Sequence, residues 1–286
     1  MVSSSNENSS AGFYGLGIAP TLLEILGRLR FKTPTPIQTQ AIPLAIQGKD
    51  LVGIAQTGTG KTLAFGIPII QRLSQIKGQG LVILPTRELA LQVEEAFHRV
   101  GRGLGLRTAV LIGGLSLKPQ LQALSQKPHV IVATPGRLID HLRQKNLRLD
   151  AVRIVVLDEA DRMLDMGFMP QIQKILQALP KDRQTMLFSA TMPPEIMKLA
   201  SSHMKLPIRV EIAPSGTTVE GVTQEIFIIQ KDAKSRLLDK LLEQYISERL
   251  KPDKHFYVVK RDDGAEGKPS LAKEGAELIC LPHGYK

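Results

Sequence analysis

A doubly wound α/β domain, a parallel sheet with helices on both faces, is the architecture the sequence predicts for most of its 286 residues. Short β-branched runs alternate with longer amphipathic stretches, the order expected of a parallel sheet covered by helices. Several runs are apolar on both alternating sets of positions, as Ile154, Val155, Val156 and Leu157 are, so both sheet faces need cover. The Gly-rich and acid-rich segments stand directly behind apolar runs, at the strand ends where this fold class binds ligands.

The elements follow in order. Strands are expected at residues 50–55, 80–84, 107–112, 129–133, 153–157, 184–189 and 208–212, with helical patterns between most of them, one at 63–73. Residues 1–10 are polar and Ser-rich, with Glu7 and no Arg before Arg28; they read as a disordered tail rather than a signal or transit peptide. The domain is expected over 11–212. Residues 213–221 hold Pro214, Gly216, Gly221 and two threonines and read as a linker. Residues 222–286 read as an incomplete second α/β segment. It holds a strand-like piece at 222–229, a helix from about 233 to 249, a strand at 255–260, a helix remnant at 271–275 and a turn at His283 and Gly284.

Composition narrows the function classes. Hydrophobic residues make up 43%, charged residues 22% and aromatics 4% with no Trp, the balance of a soluble globular protein with an aliphatic core. Lys and Arg number 37 against 27 Asp and Glu, a net charge of +10, which favours a polyanionic partner without specifying one. Cys280 is the single cysteine, so an intramolecular disulfide and a cysteine zinc site are both excluded, and a reducing compartment fits. No apolar run approaches the roughly 18 to 20 residues that span a bilayer. The expectation is a cytoplasmic monomer without membrane contact.

Ala55, Gln56, Thr57, Gly58, Thr59, Gly60, Lys61 and Thr62 lie between an apolar strand and a helical stretch and form a P-loop pattern. Small residues let backbone N–H groups curl around phosphates, Lys61 can reach the outer phosphates, and the Thr62 hydroxyl can hold Mg²⁺. The general pattern begins with Gly where this chain has Ala55. About a hundred residues later, Asp158, Glu159, Ala160 and Asp161 leave the strand at 153–157. Asp158 could hold Mg²⁺ there and Glu159 could orient or deprotonate an attacking water. Taken alone, the same acids could simply cap the next helix.

Together these blocks resemble the DEAD-box family of superfamily 2 RNA helicases, from Phe13 to about Ile229. Phe31, Lys32, Thr33, Pro34, Thr35, Pro36, Ile37 and Gln38 look like the family's adenine-reading Q motif, with Phe13 at its isolated upstream aromatic position. The resemblance implies a RecA-like fold, ATP with Mg²⁺ in the P-loop, Phe31 stacked on adenine, Thr33 within the same nucleotide site, and the Gln38 amide on the adenine edge. Arg30 stands where the family usually has Gly. Pro85, Thr86 and Arg87, then Gly113 and Gly114, then Thr134, Pro135, Gly136 and Arg137 resemble the family's RNA-contacting motifs, whose groups suit phosphate and 2′-hydroxyl rather than bases. Singly, each could be an ordinary cap or turn. Ser189, Ala190 and Thr191 resemble the coupling motif, whose hydroxyls bond the last acid of the tetrapeptide, here Asp161.

The family's second domain ends a motif in paired arginines, one of which reaches ATP held by the first domain; residues 222–286 contain no such pair. The implied function is ATP-dependent RNA binding and remodelling, with hydrolysis impaired in a truncated, frameshifted or naturally shortened chain. Two alternatives stand beside it: an ATPase completed by an arginine from another chain, and a nonenzymatic RNA-binding or interaction module with a vestigial nucleotide site.

Overall fold

In a computed structural model of the chain, residues 12–212, 234–249, 256–260 and 266–271 are described. The chain divides into two units, 1–218 and 219–286.

The first unit opens with helices α1 (Pro20–Arg28) and α2 (Pro36–Ile46), followed by β1 (Leu51–Ile54), α3 (Lys61–Gln75), β2 (Gln79–Ile83) and α4 (Arg87–Gly101). It continues with β3 (Thr108–Leu111), α5 (Leu117–Ser125), β4 (Val130–Ala133), α6 (Pro135–Arg143) and β5 (Val152–Leu157). It closes with α7 (Ala160–Asp165), α8 (Met169–Ala178), β6 (Gln184–Ser189), α9 (Pro194–His203) and β7 (Ile208–Glu211). The seven strands form one sheet in the order β3-β4-β2-β5-β6-β1-β7, and every pairing is parallel. Each strand lies within a residue of its expected limits, because strands buried on both faces read as short apolar runs.

Alternation along the strands feeds two cores. Ile154 and Val156 of β5 join Ile37, Phe65, Phe97 and Phe188 on one face. Val155 and Leu157 join Leu138, Met163, Ile175 and Leu199 on the other. Burying each such side chain is worth roughly 1.5–3 kcal/mol, so helices must cover both faces.

Local chemistry sets several boundaries. Thr86 caps α4 by accepting a hydrogen bond from Leu89 N (3.3 Å). Arg30 closes α1 at φ +62, with its own N–H on Gly27 O and the Phe31 N–H on Leu26 O. That left-handed position suits Gly, and an Arg there costs about 1–2 kcal/mol. Ala55 carries no such cost, since it is absent from the positive-φ residues.

Because all strands run one way, their following loops share one edge. Leu111, Ala133, Ile83 and Leu157 pair in a single row across β3, β4, β2 and β5, so the loops behind them start level. The strand order then sorts the edge. Pro85, Gly113 and Thr134 follow β2, β3 and β4 on one half; Ala55, Asp158 and the end of β6 at Ser189 lie behind β1, β5 and β6 on the other.

The second unit contains α10 (Lys234–Arg249) and an antiparallel pair, β8 (Phe256–Lys260) and β9 (Glu266–Leu271). Leu271, expected to open a helix remnant, instead ends β9 and pairs with Phe256. Cross-strand pairing with the aromatic and β-branched run 256–260 outweighs local helix propensity there. The expected tail at 1–10, linker at 213–221, strand-like piece at 222–229 and turn at His283 and Gly284 lie outside the described residues.

Candidate active site and nucleic-acid interface

On the β5-β6-β1 half, the P-loop places Lys61 as the first residue of α3, behind Gly60 at φ +91. The Lys61 side chain is 6% exposed. It donates to Ala55 O (3.1 Å) and lies 3.9 Å from Asp158 Oδ1. Thr59 Oγ1 donates to Gln56 O (2.7 Å), which tightens the loop from within. Thr62, one residue along α3, is half-buried.

Asp158 is buried, and its Oδ1 accepts from the Glu159 N–H (3.0 Å). Burial pushes its carboxyl up to about 6; the Lys61 ammonium opposes that rise, while the Glu159 and Asp161 charges reinforce it. Glu159 is buried too and holds φ +55, the left-handed region. A non-Gly residue there costs about 1–2 kcal/mol, and its turn aims the carboxylate between two neighbours. Glu159 Oε1 lies 3.5 Å from Thr57 Oγ1 of the P-loop, and Oε2 lies 3.3 Å from Arg162 Nη1.

Asp161 joins β5 to β6. Its Oδ2 accepts from both the N–H and the hydroxyl of Thr191 (2.9 Å each), its Oδ1 accepts from Arg162 N, and its own N–H donates to Ser189 Oγ (3.1 Å). Partial burial alone would raise its pKa, but hydrogen bonds from Thr191, Ser189 and the backbone outweigh burial and hold the carboxyl below its usual range.

Gln38 occupies a position sequence reasoning did not anticipate. It is 3% exposed, its Oε1 accepts from Thr35 N (3.0 Å) and its Nε2 donates to Gly60 O (3.0 Å). The amide therefore ties the start of α2 to the P-loop. A Cβ on Gly60 would sit 2.4 Å from Gln38 Nε2, so this approach needs glycine. Phe31 is partly buried against the core and Thr33 is exposed. Phe13 is a core side chain, 4% exposed.

On the β3-β4-β2 half, Arg87 is exposed and lies over the glycine pair: a Cβ on Gly114 (φ +73) would fall within 2.0 Å of its Nη1. Arg137 donates to Leu115 O (3.1 Å). Thr134 stands at the N-cap position of α6 without a side-chain cap bond and is buried, as is Pro135 behind it, while Gly136 and Arg137 are half-buried. The three motifs, apart in sequence, thus meet as one surface. Pro85 is buried at the foot of Thr86. Beneath them Gln120 and His141 are buried polar residues that sequence reasoning missed. The one available signal was a polar residue on an otherwise apolar helix face.

Among the described residues no cluster of three or more His, Cys, Asp or Glu side chains forms a ready metal site, and no helix is long and apolar enough to cross a membrane.

The DEAD/DEAH box helicase family matches residues 35–199. The chain is 43% identical over 241 residues to the ATP-dependent rRNA helicase RRP3 of Debaryomyces hansenii, covering 83% of this chain and 50% of that protein. It is 44% identical over 233 residues to the DEAD-box ATP-dependent RNA helicase CshA of Geobacillus kaustophilus, covering 81% of this chain and 50% of that one. The chain thus spans about half the length of the curated relatives it matches. Among solved structures, a hypothetical ATP-dependent RNA helicase from Sulfolobus tokodaii superposes with a TM-score of 0.63 at 37% identity, covering 67% of this chain and 56% of that chain.

Proposed function

The chain belongs to the DEAD/DEAH box helicase family, its first unit is the RecA-like domain of a DEAD-box RNA helicase, and we propose that this unit binds ATP and the RNA backbone on adjacent halves of one sheet edge. The observation that carries the reading is the buried Lys61–Asp158 pair at the mouth of the P-loop. Two charges kept out of water and 3.9 Å apart are costly, and such an arrangement suits a site that awaits a charged ligand.

In this reading Lys61 moves from the Ala55 carbonyl to the outer phosphates, and the N–H groups at the start of α3 cradle them. Mg²⁺ fits the residues present, because Asp158 is an under-compensated carboxylate with an oxygen to spare and Thr62 offers a hydroxyl nearby in sequence. When bound, Mg²⁺ supplies charge neutralisation for the phosphates. Glu159, fixed between Thr57 and Arg162, orients the attacking water. Asp161 transmits the state of this acid loop to the end of β6 through Ser189 and Thr191. Phe31 supplies the ring against adenine. Gln38 reads the base with the lone pair and proton left over from its two bonds, while also holding Gly60.

Thr86, Arg87, Gly113, Gly114, Gly136 and Arg137 meet phosphate and sugar, with Pro85, Thr134 and Pro135 buried behind them and shaping the surface, which gives sequence-tolerant, salt-sensitive RNA binding. The intact Lys61, Asp158 and Glu159 network disfavours a vestigial nucleotide site. Cys280 fits a reducing, cytoplasmic setting, and we read the chain as a monomer whose RNA binding depends on ATP.

Calorimetry with Mg²⁺ and ATP, ADP or GTP tests the nucleotide half. ATP and ADP are expected to bind, with GTP about tenfold or more weaker, as one lost hydrogen-bond match implies. Because Gln38 also holds Gly60, Gln38→Ala is expected to weaken all three nucleotides, not only to blunt the choice between them. Equal affinity for ATP and GTP in the unmodified chain would remove the adenine assignment.

A further inference from the structure

We infer that a buried relay, Gln120–His141–Asn146, holds the Gly113–Gly114 loop against the start of α6, so that the two loops meet RNA as one preassembled surface. The inference rests on the RNA reading above and makes Gln120 and His141 positioning residues rather than contacts.

His141 has no exposed surface. Its Nε2 lies 3.2 Å from Gln120 Oε1 and its Nδ1 lies 3.5 Å from Asn146 Nδ2. An amide nitrogen only donates, so Nδ1 accepts, and the ring's one proton sits on Nε2 and points at Gln120 Oε1. That tautomer fixes the Gln120 amide. Its nitrogen must face the other way, where it donates to Ile112 O and to Ser116 O (3.1 Å each).

Ile112 and Ser116 flank Gly113, Gly114 and Leu115. One side chain therefore clamps both ends of the loop. Its middle is clamped from the same helix that carries His141, since Arg137 donates to Leu115 O. Arg137 and His141 are four residues apart on α6, one turn and one face. A glycine pair is the stretch most expensive to order on binding, and a loop ordered beforehand leaves more of the contact energy for the ligand. Burial, and then the Arg137 charge, hold His141 below the usual histidine range against the opposing pull of Asp140. The ring stays neutral near pH 7, and the tautomer argument holds there.

A bland alternative is that the three side chains merely satisfy one another in the core. Two variants of the 286-residue chain separate the readings. Gln120→Met keeps the length and removes donor and acceptor alike. Gln120→Met with His141→Phe removes both members of the buried side-chain pair, so the ring no longer faces an unmatched partner and part of the stability returns, while the Ile112 and Ser116 carbonyls stay without their donor. Both variants are expected to bind ADP as the unmodified chain does, and to bind fluorescent oligouridine on the order of tenfold more weakly, the worth of the two lost loop bonds. Amide hydrogen exchange at residues 113–116 is expected to speed up in both. Asn146→Leu, at the half-exposed end of the relay, should give a smaller loss in the same direction, and it serves where a core variant does not fold.

Unchanged oligouridine affinity with unchanged exchange at 113–116, in any folded variant, would overturn the inference. So would an equal loss of ADP affinity, which marks a general defect. If the unmodified chain binds no oligouridine at low salt, the RNA reading fails, and the exchange measurement still decides whether the relay holds the loop.

Discussion

The two halves of the sheet edge carry their candidate functional groups in opposite ways. Behind β5, β6 and β1 the groups are side chains withdrawn from water: Lys61, Asp158, Glu159 and Ser189 are each at most 7% exposed. Behind β3, β4 and β2, Arg87 and Gly114 are exposed, and the buried polar groups Gln120 and His141 lie one layer beneath. A charge taken out of water must be answered from within the protein. The first half is therefore a closed network, with Lys61 against Asp158, Thr57 and Arg162 against Glu159, and Thr191 against Asp161. The second half incurs little desolvation, so its recognition depends on backbone shape and on what holds that shape. Selective damage should then split cleanly along the edge.

Lys61→Ala should give the largest split. Nucleotide affinity is expected to fall about a hundredfold, the worth of a charge-assisted bond of roughly 3 kcal/mol, while nucleotide-free oligouridine affinity is unchanged. The fold should survive with a loss of about 1–2 kcal/mol, because the Asp158 carboxyl, already raised to about 6, takes up a proton rather than remaining an unpaired buried charge. Calorimetry, RNA anisotropy and thermal unfolding report the three quantities. A parallel fall in both affinities would mean that the halves are not separable.

Gly114→Ala is the mirror experiment. A Cβ there would collide with the Arg87 guanidinium, and φ +73 strains any residue but Gly. The expected outcome is a displaced Arg87, stability lower by about 1–2 kcal/mol and oligouridine affinity weaker by roughly tenfold, with ADP affinity intact. If RNA affinity holds while the protein is destabilised as expected, Arg87 is a structural partner of the loop and not an RNA contact.

Sequence legibility divides along a different line, between local and long-range chemistry. The seven strands and the P-loop were readable because apolar runs, turn glycines and a following helix are all local signals. Arg30 was readable as a departure from the family's glycine, though its left-handed φ had to be seen. The Gln38 bond to Gly60 spans 22 residues and the Thr57–Glu159 approach spans 102. Neither spacing leaves a trace in composition or period. The ring of Phe13 was legible as an aromatic, but its burial depends on which helices cover it. Leu271 was misread because its strand partner lies fifteen residues back, at Phe256.

The smallest expected effect sharpens the comparison through pH. Asp158 titrates at about 6 in the folded chain, against about 4 for an ordinary aspartate. Its folded pKa is raised, so its contribution to stability is fully present below about pH 4 and is lost as pH rises through about 6. Asp161 runs the other way, contributing above the ordinary value and losing that contribution as pH falls through its depressed one. Ligand binding reads Asp158 alone more sharply. A Mg²⁺-nucleotide needs the carboxylate ionised, so ADP affinity in Mg²⁺ should fall about twofold from pH 7 to pH 6, as the ionised fraction drops from roughly nine-tenths to one-half. Without Mg²⁺ the same carboxylate faces the phosphates as a like charge, so acidification should raise ADP affinity. The phosphates of ADP also titrate near pH 6, and Mg²⁺ lowers their pKa where it binds them, so the protein group is isolated by Asp158→Asn, which should abolish the opposite trends. Lys61, Glu159 and Asp161 are the charged groups that act on Asp158, and none of them reaches the loops behind β3 and β4. Oligouridine affinity should accordingly follow neither ADP arm, since His141, held below the usual histidine range by burial and then by the Arg137 charge, is neutral at pH 7. If ADP affinity moved in the same direction with and without Mg²⁺, Asp158 would not be the group that meets the metal.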